Sequence, residues 1–269
     1  MMTLLLIPFT KDEQIVLWLL YSISWVVIII TILTKKSIFE ILTTKPLPGE
    51  KGIIGDKGAP GKAYFLKTYP EKSYWSAGLH PHEADSLEDI KNELQVLMEE
   101  ADLIGETGLD YYRNLSSKEN QIMNFEFHID VSKELNKPLI VHCRDSFSDV
   151  FDTLSSKNTS NPIILHSWTG GNKWTKKFIE LGVYFSISGI VTYDSAHDLQ
   201  AAVKKIPKDK ILLETDVPYL APEPFKGKRN NPTYIKFTGA KLAELLGVTP
   251  NELSKITITN TNKVMNRET

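Results

Sequence analysis

Five short apolar runs of this chain stop on a residue able to bind a metal ion or carry a proton, and few folds have a use for that pattern. From Lys62 onward, β-rich runs at 74–79, 103–105, 139–141, 163–165, 183–187 and 211–213 alternate with longer amphipathic segments. Such alternation predicts repeated βα units around a parallel sheet. The residues that follow five of the runs are His80, Glu106, His142, His166 and, after Glu214 and Thr215, Asp216. In a barrel the C-terminal ends of the strands share one face, so residues 24 to 50 positions apart in the chain would meet there.

The intervening segments carry their own start signals. Ser116 with Glu119, and Thr249 with Glu252, have the spacing of capping boxes. Pro138 and Pro162 each precede a predicted strand, where a missing N–H is tolerated. His128 falls within a helix as a packing group, and Cys143 reads as a buried thiol on the face of its strand opposite His142.

Two imidazoles and two carboxylates form a donor set suited to Zn²⁺, Mn²⁺ or Mg²⁺. Such an ion activates water and polarises a carbonyl or phosphoryl oxygen, which makes hydrolysis the natural reaction. Asp216 could also take the proton from water. Cationic side chains stand nearby in sequence, namely Arg113, Arg144, Lys226, Lys228 and Arg229, and arginine forks match phosphate oxygens. Tyr111, Tyr112 and Tyr219 could stack on the bases of a single strand. A net charge of −2 leaves no global basic field, so any nucleic-acid binding would rest on this local rim. The single cysteine excludes an intrachain disulfide framework and a thiolate zinc cluster.

The first 61 residues read differently. Residues 15–34 contain no charge and have the length of a transmembrane helix, with Lys35, Lys36 and Lys45 behind them. This predicts an N-terminal segment at 1–36 that tethers a cytoplasmic catalytic body to the inner face of a membrane. A buried helix packed on the body is the alternative. Glycines at 49, 52, 55, 58 and 61 recur every third residue, and 37–61 is expected to be a Gly-x-y linker. The body then occupies 62–269.

The body carries SAGLHPHEA at 76–84, IGETGLDYYR at 104–113, KPLIVHCRDS at 137–146, LHSWTGG at 165–171, FSISGIVTY at 185–193 and LLETDVPYLAPEPFKGKRNNP at 212–232. In these six ordered motifs the chain resembles the TatD-type deoxyribonucleases of the metal-dependent hydrolase superfamily. The resemblance implies a (β/α)8 TIM-type barrel and divalent-metal-dependent cleavage of DNA, 3′ to 5′ on single strands. It further implies that Glu106 is a catalytic carboxylate bridging metals, that His142 and His166 are ligands, and that Asp216 is a ligand and base. By the same resemblance His80 is a rim histidine, and Arg113 and Arg229 contact substrate. Arg144, Lys228 and Tyr219 complete the expected substrate-binding set.

Members of that family open with a strand ending in His-x-His that supplies further ligands, whereas residues 1–61 here contain no histidine. The expected barrel is therefore N-terminally incomplete, with about six family strands preceded by an apolar helix, and it holds one or two ions. An open edge beside the first of those strands would need a cover, from the N-terminal segment or from a partner chain. Two other functions fit the same motifs: hydrolysis of esters or amides such as mischarged aminoacyl-tRNA, and a catalytically impaired, membrane-tethered binding protein.

Overall fold

The computed structural model describes residues 5–6, 14–21, 26–34 and 73–266. Six parallel strands form the body: β4 (Ser73–Gly78), β5 (Leu103–Asp110), β6 (Leu139–Arg144), β7 (Ile163–Leu165), β8 (Tyr184–Ile187) and β9 (Ile211–Leu213). They pair in chain order, each with the next. The connections run through α1 (Leu87–Glu100), α2 (Lys118–Leu135), α3 (Phe147–Lys157), α4 (Asn172–Glu180) and α5 (His197–Val203). The helices α6 (Ile235–Leu246) and α7 (Pro250–Val264) close the chain. The result is a curled parallel sheet, the larger part of a TIM-type barrel, and the six strands fall on the six apolar runs.

Among the described residues the expected N-terminal apolar helix is not formed. Within 15–34 the described residues lie in β2 (Gln14–Tyr21) and β3 (Val26–Thr34), which pair antiparallel, with β1 (Leu5–Leu6) antiparallel on β2. β3 then adds antiparallel to the outer edge of β4, from Val26 opposite Gly78 to Thr31 opposite Ser73. The physical reason lies in composition and in the sheet's need. Val26 to Ile30 is an unbroken β-branched run, a composition that favours strands, and an apolar run of this kind has no period to separate helix from strand. The open edge of β4 supplies the tertiary partner that decides between them. No helix among the described residues is long and apolar enough to cross a membrane, so the expected tether through 15–34 has no helix to carry it. The proposed linker at 37–61 lies outside the described residues.

The capping signal of α7 is realised in full: Thr249 Oγ1 accepts from the Glu252 N–H, and Glu252 Oε2 accepts from the Thr249 N–H at 2.7 Å. That of α2 shifts by one residue. Ser117 is the N-cap, while Ser116 donates to the His82 carbonyl at 2.9 Å and ties this turn to the loop after β4. Pro138 and Pro162 stand just ahead of β6 and β7, and their carbonyls accept from Ile104 of β5 and Leu139 of β6, the preceding strand in each case.

Two devices aim the polar ends of the strands. β5 is longer than its apolar run and wholly buried, with a register irregularity between Ile104 and Thr107 and positive φ at Gly105 and Gly108. The end of β4 is held by α2, where the buried His128 accepts from the Leu79 N–H at 2.8 Å through Nε2 and contacts the Asn124 carbonyl at 2.7 Å through Nδ1. Nε2 accepts, so Nδ1 carries the hydrogen, and burial keeps this ring neutral with a pKa of about 4. The Asn124 amide donates to the Leu79 carbonyl, also at 2.8 Å, so both backbone groups of the residue before His80 are fixed.

Candidate metal centre

At the C-terminal ends of the parallel strands, Glu106 stands in the middle of three imidazoles. Its Oε1 lies 2.7 Å from His142 Nδ1, 3.5 Å from His166 Nε2 and 3.8 Å from His80 Nε2. His166 Nε2 is in turn 3.6 Å from Asp216 Oδ1, and His166 Nδ1 is 3.1 Å from Glu214 Oε1. Glu106 and Glu214 are fully buried and Asp216 nearly so. The left-handed φ of 59° at Asp216, a conformation aspartate tolerates better than most residues, turns the chain sharply off the end of β9.

Burial opposes ionisation of these carboxylates, and their neighbours decide the outcome. Burial would raise Glu106, but His166, His142 and His80 hold it down to about 2. Asp216 goes the other way: burial, with Glu214 and Glu106 adding to it, pushes its carboxyl up to about 8 despite His166. Burial works against charging His166 as well, yet Glu106, Glu214 and Asp216 carry it to about 10. His80 is held neutral, near 3, chiefly by burial.

The site fits a divalent cation on its own structure. Glu106 Oε2, Asp216 Oδ1 and Glu214 Oε2 are buried without a hydrogen-bond donor among the described residues, while Glu214 Oε1 faces His166 Nδ1. Burying a carboxylate oxygen without a donor is costly, and a cation is a partner that satisfies several at once. His80, Glu106 and His142 each present a ligand atom within 4.8 Å of the others, and His166 and Asp216 adjoin the same Glu106. Nitrogen and carboxylate oxygen without thiolate is the donor set of Zn²⁺, Mn²⁺ or Mg²⁺. Cys143, buried and pushed up to about 12 by that burial, takes no part.

The structure brings Glu106, His142, His166, Asp216 and His80 together at one end of the sheet. The rim is placed less tightly. Arg144 stacks 4.0 Å over the ring of Tyr112, with Arg113 on the same ring at 6.0 Å. Tyr112 and Tyr219 are among the few large exposed hydrophobic side chains. Lys228 and Arg229 are exposed on the loop after β9, which the Asn230 amide folds back through a 2.7 Å bond to the Tyr219 carbonyl. Sequence reasoning passed over Asp110, the last residue of β5, whose Oδ2 lies 3.0 Å from His142 Nε2 and 2.9 Å from His82 Nε2. The alternation ETGLD could have revealed it, since residues two apart on a strand share a face.

Residues 41–266 match the model of the family described as TatD related DNase. A metal-dependent hydrolase of Escherichia coli K12, YcfH, is 39% identical over 188 residues, which cover 69% of this chain and 71% of that protein. The metal-dependent hydrolase YabD of Bacillus subtilis is 36% identical over 197 residues, 71% of this chain and 76% of its own. Among solved structures, YjjV, a TatD homolog from Escherichia coli K12, superposes with a TM-score of 0.66 at 25% identity, covering 71% of this chain and 76% of that one.

Proposed function

We propose, on the premise that this chain belongs to the family of TatD-related DNases and is a metal-dependent hydrolase, that its substrate is DNA and that it cleaves phosphodiester bonds, 3′ to 5′ on single strands. The observation that carries the reading is the meeting of Glu106, His142, His166 and Asp216, drawn from four strands, around carboxylate oxygens that lack a donor. A bound divalent cation supplies Lewis acidity toward a phosphoryl oxygen and toward water. Glu106, His142, His166 and Asp216 would hold it. The reading takes one or two ions, with these four residues as ligands.

The side chains divide the remaining work. Asp216, beyond the end of β9 and 3.6 Å from His166 Nε2, is placed to take the proton from water. Arg144 and Arg113, beside the mouth at the ends of β6 and β5, neutralise the phosphodiester, whose transition state gathers negative charge. Lys228 and Arg229 extend that charge along the backbone of the strand, and Tyr219 offers an exposed ring for a base.

The test compares hydrolysis of a 3′-labelled single-stranded oligonucleotide with that of an aminoacyl ester, each with Mn²⁺ and with chelator. Mn²⁺-dependent release of 3′ nucleotides is expected, falling at least about a hundredfold in Glu106→Ala and Asp216→Ala. Turnover of the ester alone would overturn the DNA reading and keep a hydrolase. Oligonucleotide cleavage that survives both substitutions would remove the site.

A further inference from the structure

The carboxylates around His142 are of two kinds. Glu106 has one oxygen on the ring and the other without a donor. Asp110 is saturated: Oδ2 meets the Nε2 atoms of both His142 and His82, and Oδ1 accepts the Arg113 N–H at 2.8 Å. Its backbone is held as firmly, for its N–H donates to Gln121 Oε1 at 2.8 Å and its carbonyl accepts from the Gln121 amide. A carboxylate with both oxygens engaged and its main chain clamped is a fixed acceptor and a poor metal ligand.

The strand pairing explains how the ring comes to lie between the two acids. Gly108 is directly opposite His142 in the β5–β6 ladder, and Asp110 is two residues further along the same face. Gly108 has no side chain to stand against the ring. His142 therefore reaches Glu106 with Nδ1 and Asp110 with Nε2.

We propose that Asp110 is a positioning residue for the metal centre: by accepting Nε2–H of His142 it fixes the ring's tautomer and rotation, so that Nδ1 is the nitrogen offered to a cation beside Glu106. A ligating histidine generally donates its other N–H to such a partner, and loss of the partner typically weakens metal binding about 10- to 100-fold. His82, which shares Oδ2, holds Asp110 from the solvent side. The inference rests on the metal-dependent reading above.

The experiment measures Mn²⁺ affinity by titration calorimetry, and the nitrogen shifts of the histidine rings by NMR in the Zn²⁺-loaded protein, for the full chain and for Asp110→Ala, Asp110→Asn and His82→Phe. Wild-type His142 is expected to be bound through Nδ1 with hydrogen on Nε2. Asp110→Ala should lose about 10- to 100-fold in affinity with the His142 signal altered, and Asp110→Asn, which keeps an oxygen acceptor, should recover part of it. His82→Phe should stay within about threefold, because it leaves the Asp110 to His142 bond in place. If Asp110→Ala does not fold, Asp110→Asn alone decides: unchanged affinity and unchanged ring shifts overturn the proposal. Nε2 ligation of His142 in the wild type overturns it as well. A wild-type chain that takes up no metal sinks the metal-dependent reading and this inference together, whereas wild-type binding with unaffected variants sinks only the role of Asp110.

Discussion

Gly108 shows how little latitude the metal centre leaves a single residue. Its φ of +127° is a backbone state that L side chains rarely adopt, and a Cβ there would run into the carbonyl of His142, the residue that must be placed between Glu106 and Asp110. Gly108→Ala should therefore cost on the order of 3 kcal/mol or more, through strain and through displacement of β6. Gly227→Ala is the control. That glycine also has a positive φ, but nothing lies within 4 Å of its Cβ position, so about 1 kcal/mol of backbone strain is expected and no more. Thermal melts of the two variants, with Mn²⁺ affinity measured alongside, check the difference; equal costs would mean that the contact with His142 carries no weight. The ligand-type residues were legible in sequence because each follows an apolar run, and strand ends are where chemistry collects in such folds. Asp110 was not, because an acid inside a motif rich in glycine and tyrosine resembles a turn until the bulged, fully buried β5 is seen to extend through it.

At the scale of elements, the six parallel strands were legible, and the two antiparallel ones before them were not. A run of apolar residues as long as 15–34 satisfies the length rule for a membrane helix, and nothing local contradicts it. What decides the matter is remote: β4 is the first strand of the parallel set and has an edge to fill. Trp75 exchanges its backbone groups with Asp102 on the β5 side, its N–H going to the Asp102 carboxylate and its carbonyl to the Asp102 N–H. Along a strand these groups alternate in direction, so Tyr74 and Ser76 face β3, where they pair with Ile30 and Ile28. Ile30→Pro removes one of those ladder donors from the interior of a paired strand. The variant should lose about 3 kcal/mol or more, and the amides of Tyr74 and Ser76 should exchange with solvent hydrogen faster than those facing β5. Unchanged protection at Tyr74 and Ser76 would mean that the hairpin does not cover this edge in solution.

For the molecule as a whole, charge decides how a nucleic acid would be held. A net charge of −2 offers no attraction at long range, so binding would depend on the few cations set around the mouth by the loops after β5, β6 and β9. Of these, Arg144 is already fixed by stacking on Tyr112, while Lys228 and Arg229 stand free on an exposed loop whose base is pinned by Asn230. The rim cations thus fall into two groups, Arg144 and Arg113 stacked on Tyr112 at the ends of β6 and β5, and Lys228 and Arg229 exposed on the loop after β9. That sorting was invisible in sequence, where all the cations look like neighbours of a motif, and it emerges once the loops are anchored to particular strands. If three to five phosphates are neutralised, the slope of log affinity against log salt for a single-stranded oligonucleotide should be about −2 to −4. Glu106→Gln is the background for the measurement, since it should stop turnover while leaving the rim cations in place. Adding Lys228→Ala and Arg229→Ala should flatten the slope by about 1.4 and weaken binding alike for every sequence tested, because contacts to phosphate carry no base information. A slope that stays the same in that variant would move the strand off the β9 loop altogether and leave Arg144 and Arg113 as its only cationic contacts among the rim residues.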